Sequence, residues 1–385
     1  MAERFIEKRL AAMKARPHAR VVAMARGMEG VINLAGGDPD FDTPVHITDA
    51  VVKALGEGKT HYPPTHGLPA LREALVDYYG EYGVECDSSE VTVTAGSGVS
   101  LFVSMAGTVN PGEEVVVLEP YFMAYSNLVE YLGAREVGVA LEEENGYRLD
   151  VEALKEKVTP KTKMIVLCNP NNPSGTVYTK DELAGIAEVA QDNDLLILSD
   201  EVYNEFVWDG REHVTIASLP GMKERTIVSN SFSKTFAMTG WRLGYVLADK
   251  PIATRLQRIP VGYRTNTFVQ MAAVEALKGP WGPVERMAEE YDRRRRFMVP
   301  RLNEIEGISC HMPEGAFYLF PSIRGLGMGS EEFCESLLVE KKILTRPGTA
   351  FGVSGEHHMR LPLIKPVEIL GKIADAIGDH AGKMV

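Results

Sequence analysis

Short apolar runs alternate with amphipathic segments between about residues 90 and 250. The runs are rich in Val, Ile and Leu without polar alternation, which predicts strands that are buried on both faces. Segments such as DELAGIAEVAQDN at 181–193 carry apolar residues at helical spacing between them. This alternation is typical of an α/β domain with a mostly parallel sheet flanked by helices. The predicted strands are EVTVTAG (90–96), EEVVVLEP (113–120), KMIVLCNP (163–170), LLILSDE (195–201), RTIVSNSF (225–232) and WRLGYVLA (241–248).

The pattern changes after Pro283. It predicts a long helix over about 284–304, a strand-like pair in ISCHMPEGAFYLFPSI, a helix at 330–341 and a last helix from about 366. These elements indicate a smaller α+β domain. The first 45 residues end in LAGGDPDFDTP, ahead of the first βα unit, and we assign them to the same domain. The predicted division is a large α/β domain at 46–283 and a small α+β domain made of 1–45 and 284–385.

Composition and charge narrow the class of protein. Hydrophobic residues make up 45% of the 385-residue chain and charged residues 24%, as in a globular protein long enough for two domains. The formal net charge of −12 argues against a general nucleic-acid or anionic-membrane surface. The basic run RRRR at 293–296 lies among acidic and apolar residues at helical spacing, which predicts a solvated helix face. No apolar run approaches the ~18 residues that a bilayer-spanning helix needs.

Cysteine and histidine positions favour neither a disulfide framework nor a metal site. The cysteines are far apart in the sequence and form no CxxC pair, which suits a reducing cytoplasm. The histidines at 61, 66 and 357–358 do not follow a metal-ligand spacing, so we expect no metal. The four cysteines are Cys86, Cys168, Cys310 and Cys334.

Polar residues stand where the predicted strands end, and such ends meet at one edge of a parallel sheet. The first run leads into GSGVS, a glycine-rich turn that opens a helix and can offer N–H groups to an anion, although a tight turn without a ligand is an equal alternative. The apolar part of LLILSDE leads directly to Asp200, with Tyr203 three residues later. A carboxylate at a buried strand end is costly unless it meets a cation or several donors. These positions therefore favour a binding site.

Lys234 is the most unusual of these residues. It follows the buried strand RTIVSNSF, close to Ser231 and Ser233, and Arg242 comes eight residues later. Burial lowers the pKa of a lysine and makes its amine a nucleophile, a usual route to Schiff-base chemistry. A phosphorylated aromatic aldehyde would use the whole set. Its aldehyde would bind Lys234, and a pyridinium nitrogen would bind Asp200. Its phosphate would bind the glycine-rich turn, the two serines and Arg242.

The stretch SNSFSKTFAMTGWRLGY at 229–245 resembles the cofactor-lysine segment of the class I aminotransferases, pyridoxal-phosphate enzymes of fold type I. The likeness spans most of the chain and follows the order of motifs in the aspartate and aromatic aminotransferases. The similar motifs are LAGGDPDFDTP, HYPPTHGLPALREAL, VTVTAGSGVSLF, EPYFMAY, NPNNPSG, LSDEVY, PGTAFG and MRLPL.

The resemblance implies a role for each cofactor-binding residue. Lys234 corresponds to the lysine that binds pyridoxal phosphate through an imine, and Asp200 to the aspartate that keeps the pyridine nitrogen protonated. Tyr203 and Asn172 correspond to the pair that hydrogen-bonds the ring oxygen. Phe122 stands where the family has an aromatic residue, frequently tryptophan, that stacks on the ring; core packing is the alternative. The implied phosphate site is Ser97, Gly98, Val99, Ser231, Ser233 and Arg242.

The resemblance also implies a substrate site and a homodimer. Arg360 corresponds to the arginine that grips the substrate α-carboxylate, and Gly37 to a glycine whose backbone approaches that carboxylate, although Gly37 could serve a turn alone. Tyr62 corresponds to a tyrosine that reaches the phosphate in the neighbouring subunit, with local packing as the alternative. Arg264 in VGYRTNTFVQ is our candidate for a distal carboxylate, although a solvated interface arginine is the alternative reading.

The implied function is ping-pong transfer of an amino group from an L-amino acid, aspartate or a related one, to a 2-oxo acid such as 2-oxoglutarate. Lys234 would shuttle the proton. A β-lyase or an aminocyclopropane-carboxylate synthase-like enzyme shares these residues and stays open as an alternative. A cofactor-binding DNA regulator is less favoured, because about 30 residues precede LAGGDPD, fewer than a winged helix needs.

Overall fold

The computed structural model describes residues 5–13, 18–262 and 265–384. In these ranges no helix is both long and apolar enough to cross a membrane. The strands are β1 (Ile32–Asn33), β2 (Val91–Thr94), β3 (Glu114–Glu119), β4 (Arg135–Ala140), β5 (Thr162–Cys168), β6 (Leu196–Asp200), β7 (Thr226–Ser231), β8 (Gly244–Ala248), β9 (Tyr318–Leu319), β10 (Ile343–Leu344), β11 (Arg346–Pro347) and β12 (Met359–Pro362). The α-helices are α1 (Lys8–Ala12), α2 (His18–Met24), α3 (Val45–Gly56), α4 (Pro69–Glu81), α5 (Ser97–Ala106), α6 (Ala124–Tyr131), α7 (Val151–Lys157), α8 (Lys180–Asp192), α9 (Phe232–Thr235), α10 (Lys250–Leu256), α11 (Thr267–Lys278), α12 (Gly282–Asn303), α13 (Ser330–Lys341) and α14 (Val367–Ala381).

The central sheet has the strand order β2-β8-β7-β6-β5-β3-β4. Strand β8 runs antiparallel to both of its neighbours, and the other pairs are parallel. Every residue of β2, β3, β7 and β8 is buried, as continuous apolar runs require. The predicted α/β fold with a mostly parallel sheet is therefore confirmed, and each predicted strand overlaps a strand of this sheet.

Strand β4 was not predicted. Its sequence REVGVA forms the edge of the sheet, and only one of its residues is buried. This strand has one neighbour in the sheet and lacks the apolar run by which the other strands, including the buried edge strand β2, were recognised.

Helix α8 shows how local sequence fixes an element. The Thr179 hydroxyl accepts a hydrogen bond from the Glu182 N–H at 3.2 Å, and the Glu182 carboxylate accepts one from the Thr179 N–H at 2.7 Å. This capping box satisfies N–H groups that have no partner inside the helix. The helix begins within one residue of its predicted start.

The C-terminal part of the chain forms a second structural region with the N-terminal segment. Strand β1 pairs in parallel with β10, and β11, β12 and β9 form a separate antiparallel sheet. Of the predicted strand-like pair, Tyr318–Leu319 forms a strand, and Ser309 and Ser322 form an isolated bridge. The pairing of β1 with β10 supports the division that we propose, with 1–45 and 284–385 in one small domain.

The prediction for the basic run at 293–296 was wrong for two of its residues. Arg293 and Arg296 lie on the outside of α12, whereas Arg294 and Arg295 are 3% and 0% exposed. Arg294 bonds Asp40 and Glu290, and Arg295 bonds Asp209 and Asp292. The helical period turns these two side chains inward, and the partners at 40 and 209 are too distant in sequence for the pattern to reveal them.

Candidate functional site

The residues that follow the central strands converge at one edge of the sheet. Asp200 ends β6 and lies opposite Cys168 of β5 and Ser229 of β7. Lys234 lies in α9, which begins directly after β7. Because β8 is antiparallel, its first residue, Gly244, pairs with Ser231 at this same edge. Register therefore brings Asp200, Lys234 and the start of β8 together.

Lys234 is half-buried, and its amine donates a hydrogen bond to a backbone carbonyl group. Its Nζ donates to Gly37 O at 2.5 Å. Burial lowers the pKa of Lys234 to about 8; Asp38 opposes this shift, and the positive charges of Arg360 and Arg242 add to it. An amine with this pKa is partly unprotonated near neutral pH and can act as a nucleophile.

Asp200 is a buried carboxylate, 3% exposed, with one oxygen satisfied. Its Oδ2 accepts a hydrogen bond from the Tyr125 hydroxyl at 2.7 Å. Its Oδ1 is buried and has no hydrogen-bond partner in the described part of the chain. Burial raises the pKa of Asp200 to about 6, and the bond from Tyr125 opposes that shift. A buried acceptor without a donor is costly, so Oδ1 suits a bound group that carries an N–H.

A chain of hydrogen bonds links Tyr203 to Arg360. The Asn172 amide nitrogen donates to the Tyr203 hydroxyl at 3.2 Å, and Arg360 Nη1 donates to Asn172 Oδ1 at 3.1 Å. The Tyr203 hydroxyl also lies 2.9 Å from the Tyr318 hydroxyl. The guanidinium carbon of Arg360 lies 4.6 Å from the centre of the Tyr318 ring. These contacts hold Arg360 in one orientation within the buried site.

Arg360 keeps donor capacity despite these contacts. Its Nη2 donates to Ala35 O at 2.7 Å, but its Nε is buried without a partner among the residues described. Burial lowers the pKa of Arg360. Within the described ranges no carboxylate lies at ion-pair distance from its guanidinium. A buried, unneutralised guanidinium is suited to binding a carboxylate ligand.

The start of α5 lies beside the guanidinium of Arg242. Gly96, at φ +90°, is the N-cap of α5, and a Cβ there would lie 2.5 Å from a guanidinium nitrogen of Arg242. The N–H groups of Val99 and Ser100 both bond Gly96 O, at 3.0 and 3.3 Å. The first turn of a helix leaves N–H groups such as those of Ser97 and Gly98 without helical acceptors. A Cβ on Gly98 would meet no atom within 4 Å, so this helix start faces open space.

Ser231 and Ser233 are buried beside Lys234. The Ser231 hydroxyl caps α9 by accepting a hydrogen bond from the Ser233 N–H at 3.3 Å. Helix α9 begins at this point because a serine at the end of a strand can satisfy the first N–H groups of the following helix. This cap fixes the position from which Lys234 projects.

Gly37 and Phe122 lie against residues of this cluster. A Cβ on Gly37 would lie 1.9 Å from the Tyr318 hydroxyl oxygen, so no side chain fits there. Phe122 is partly buried, and its ring packs edge to face on Tyr125, with 5.8 Å between the ring centres and an interplanar angle of 86°. Tyr125 therefore contacts both Phe122, through its ring, and Asp200, through its hydroxyl.

Tyr62 and Arg264 are not placed in this cluster. Tyr62 lies on the surface of the chain, 84% exposed. Arg264 lies outside the described residues.

Sequence reasoning missed Tyr125 and Tyr318. Tyr125 belongs to the motif EPYFMAY and Tyr318 to GAFYLF, but neither residue is close in sequence to its hydrogen-bond partner. Their position in these two motifs was the only feature of the sequence that could have marked them as site residues. The contacts themselves depend on tertiary packing.

The residues at this edge fit pyridoxal phosphate. The group has a phosphate, which suits the open start of α5 beside Arg242, and a ring nitrogen, which suits the orphaned oxygen of Asp200. Its aldehyde suits the amine of Lys234, whose pKa is lowered. Three independent features of the structure therefore match three parts of one cofactor.

Comparison with known proteins agrees with this chemistry. Over 358 residues the chain is 43% identical to the aromatic-amino-acid aminotransferase 2 of Thermococcus litoralis, a match that covers 91% of this chain and 92% of that protein. It is also 43% identical to the aspartate aminotransferase of Pyrococcus abyssi over 358 residues, again with 91% and 92% covered. The crystal structure of the aromatic aminotransferase from Pyrococcus horikoshii is similar at a TM-score of 0.90 and 40% identity, and the match covers 96% of this chain and 100% of that one. Residues 29–376 match the family described as aminotransferase class I and II. The chain is therefore a pyridoxal-phosphate-dependent member of the class I and II aminotransferase family.

Proposed function

We propose that this aminotransferase moves the amino group of aspartate, or of a related L-amino acid, to a 2-oxo acid such as 2-oxoglutarate. The observation that supports it best is the buried guanidinium of Arg360, which is close enough to Lys234 to lower the pKa of its amine. A carboxylate held at Arg360 brings an amino or 2-oxo acid beside that amine. The names of the relatives point to aspartate and to aromatic amino acids. An acceptor such as 2-oxoglutarate requires that the pocket accommodate a second carboxylate, which favours aspartate.

Lys234 and Asp200 have the central roles in this proposal. Lys234 would hold the cofactor covalently through its amine, and Asp200 Oδ1 would pair with the protonated ring nitrogen. Pyridoxal phosphate, when bound, supplies an electron sink for the electron pair left at the substrate Cα. When the amino group of the substrate replaces Lys234 on the cofactor, the released amine of Lys234 would move the proton from Cα to the cofactor carbon, which its lowered pKa allows near neutral pH.

Other residues would hold and orient the cofactor. Tyr203 and Asn172, already hydrogen-bonded to each other, would donate to the ring oxygen. Phe122 would pack against the ring. The positive end of the α5 dipole and the guanidinium of Arg242 would bind the phosphate. The full phosphate set is Ser97, Gly98, Val99, Ser231, Ser233 and Arg242.

The substrate α-carboxylate would lie between the small-domain and large-domain sides of the site. Arg360 would grip it with two donors, and Asn172, whose side-chain oxygen accepts a hydrogen bond from Arg360, would line the same part of the site. The missing side chain at Gly37 leaves room for the Tyr318 hydroxyl, and the Gly37 backbone would approach the carboxylate.

A homodimer with shared active sites completes the proposal. Tyr62 would reach the phosphate in the neighbouring subunit, which requires the exposed position that it has on a single chain. Helix α3, at 45–56, carries exposed apolar side chains, Val45, Val52 and Leu55, that a second subunit could cover. The role of Arg264 at a distal carboxylate and a cytoplasmic location stay predictions from the sequence.

A panel assay of amino donors tests the substrate and the reaction type together. Purified holoenzyme is incubated with single L-amino acids in the presence and absence of 2-oxoglutarate, and glutamate and the new 2-oxo acid are quantified. We expect equal amounts of both products, strict dependence on the acceptor and the highest kcat/KM with aspartate. Product formation without an acceptor would instead support the β-lyase alternative.

A further inference from the structure

Arg346 lies directly beside the arginine of the substrate site. The two arginines are partners in the antiparallel register of β11 and β12. Side chains of directly opposed residues in such a pair project from the same face of the sheet. Arg346 Nε donates to Ala35 O at 3.0 Å, and Arg360 Nη2 donates to the same oxygen at 2.7 Å. The donor nitrogens of the two guanidiniums are therefore within two hydrogen-bond lengths of each other.

This pair of positive charges has no counterion in the described part of the chain. Neither Arg346 nor Arg360 has a carboxylate at ion-pair distance there, whereas the buried Arg294 and Arg295 bond two acidic residues each. Burial and the neighbouring charge of Arg360 lower the pKa of Arg346 to about 10. Like charges directly opposite across two strands destabilise the fold, and an anion bound between them removes the repulsion.

We propose that Arg346 is a second cation of the substrate site and selects substrates that carry two carboxylates. The inference rests on the proposed function, in which Arg360 holds the α-carboxylate. Arg346 then attracts the second carboxylate of a four- or five-carbon dicarboxylic amino acid or 2-oxo acid. A neutral side chain gains nothing from Arg346, because its only carboxylate is held by Arg360.

A structural role for Arg346 makes a different prediction. If Arg346 only fixes the Ala35 carbonyl, its loss displaces the segment that leads to Gly37. That displacement lowers the affinity for every carboxylate ligand by a similar factor, whether the ligand has one carboxylate or two. The ratio of two affinities therefore separates the two roles.

The test uses holoenzyme and two unreactive ligands, succinate and butyrate, which have the same length but differ in the second carboxylate. Calorimetry gives the dissociation constant of each ligand for wild type, Arg346→Gln and Arg346→Lys. Arg324→Gln, which removes an exposed charge from the same region, is the matched control. We expect Arg346→Gln to raise the dissociation constant of succinate by about tenfold or more and that of butyrate by less than about twofold. Arg346→Lys should retain part of the preference, since it keeps the charge, and it serves as the test if the Gln variant does not fold.

Several outcomes would overturn the proposal. If Arg346→Gln lowers the affinity for both ligands equally, Arg346 only supports the Ala35 carbonyl. If neither affinity changes, Arg346 does not contact the ligand. A selective loss in Arg264→Met with none in Arg346→Gln moves the second cation to Arg264. A wild-type preference for succinate that survives in both Arg346 variants overturns this inference but leaves the proposed function intact. A wild type that binds the two ligands equally and does not transaminate aspartate contradicts the proposed function as well.

Discussion

The hydroxyl of Tyr125 donates a 2.7 Å hydrogen bond to Asp200 Oδ2, while Oδ1 of the same carboxylate is buried without a partner in the described residues. One half of the carboxylate is thus anchored by the protein, and the other half is left for a ligand. A donor to the ionised form of a carboxylate lowers its pKa, and burial raises it. Burial is the largest cause of the raised pKa of about 6 for Asp200. The bond from Tyr125 is the largest of the effects that oppose it, ahead of the Val202 backbone N–H and the charge of Lys234.

We predict that Tyr125→Phe raises the pKa of Asp200 above about 6 in the cofactor-free protein. A raised carboxyl pKa means that the folded state binds more protons than the unfolded state, so stability falls as pH rises from the unfolded pKa through the folded one. In the variant this fall should extend to higher pH. A carbon NMR titration of the Asp200 carboxyl gives the pKa, and urea unfolding between pH 4 and 8 gives the stability.

Tyr121→Phe is the control for this comparison, because the Tyr121 hydroxyl bonds a different carboxylate, that of Glu136. The control should leave the titration of Asp200 in place. An unchanged Asp200 pKa in Tyr125→Phe would show that the bond has no electrostatic effect on the site.

We predict that Asp200→Asn slows turnover by several orders of magnitude but leaves the cofactor bound. The neutral amide cannot keep the ring nitrogen protonated, whereas the phosphate contacts at α5 and Arg242 are unchanged. The measurements are kcat and the cofactor content after dialysis, with Asp194→Asn, an exposed surface carboxylate, as the control. Near-normal turnover would reduce Asp200 to a structural carboxylate at the end of β6.

The sequence could predict the parts of this molecule that are continuous along the chain. Buried strands carry their own apolar runs, and the polar residues at their ends, such as Asp200 and Lys234, follow directly. The pairing of Arg346 with Arg360, the bond from Tyr125 to Asp200 and the burial of Arg295 depend on register and packing between distant segments. A pattern of hydrophobic and polar positions does not specify such contacts, because it fixes which face is buried but not which residue lies opposite.

We predict that cofactor uptake follows the titration of Lys234. The pKa of Lys234 is lowered to about 8, so the nucleophilic amine is the minor form below pH 8 and the major form above it. The rate at which the cofactor-free protein is labelled by pyridoxal phosphate and borohydride should rise with pH to a plateau, with its midpoint near pH 8. Peptide mapping should place the label on Lys234, and label on another lysine would contradict the assignment.

Asp38 offers an internal check on this pH dependence, because its carboxylate raises the pKa of Lys234. Asp38→Asn should move the midpoint to lower pH. Asp42→Asn removes an exposed charge from the same loop and should leave the midpoint in place.

We predict that Arg360→Lys raises KM by a similar factor for aspartate and for phenylalanine. Lysine keeps the positive charge but replaces a planar two-donor grip with a single point charge. Every amino acid has the α-carboxylate, so the weakening should not depend on the side chain and should be about tenfold or more. Steady-state kinetics with both donors measure it. A loss confined to aspartate would place Arg360 at the side-chain end of the pocket.

We predict that Tyr62 acts across the interface of a homodimer. Tyr62→Ala and Lys234→Ala should each be nearly inactive as purified homodimers, the first because a phosphate contact is lost and the second because the amine is lost. After unfolding and refolding together, a mixed dimer contains one site that has Lys234 from one subunit and Tyr62 from the other. Random mixing in equal amounts should therefore restore about a quarter of wild-type activity. If Tyr62 serves the active site of its own subunit, every site in the mixed dimer lacks one of the two residues, and activity stays at the level of the separate variants.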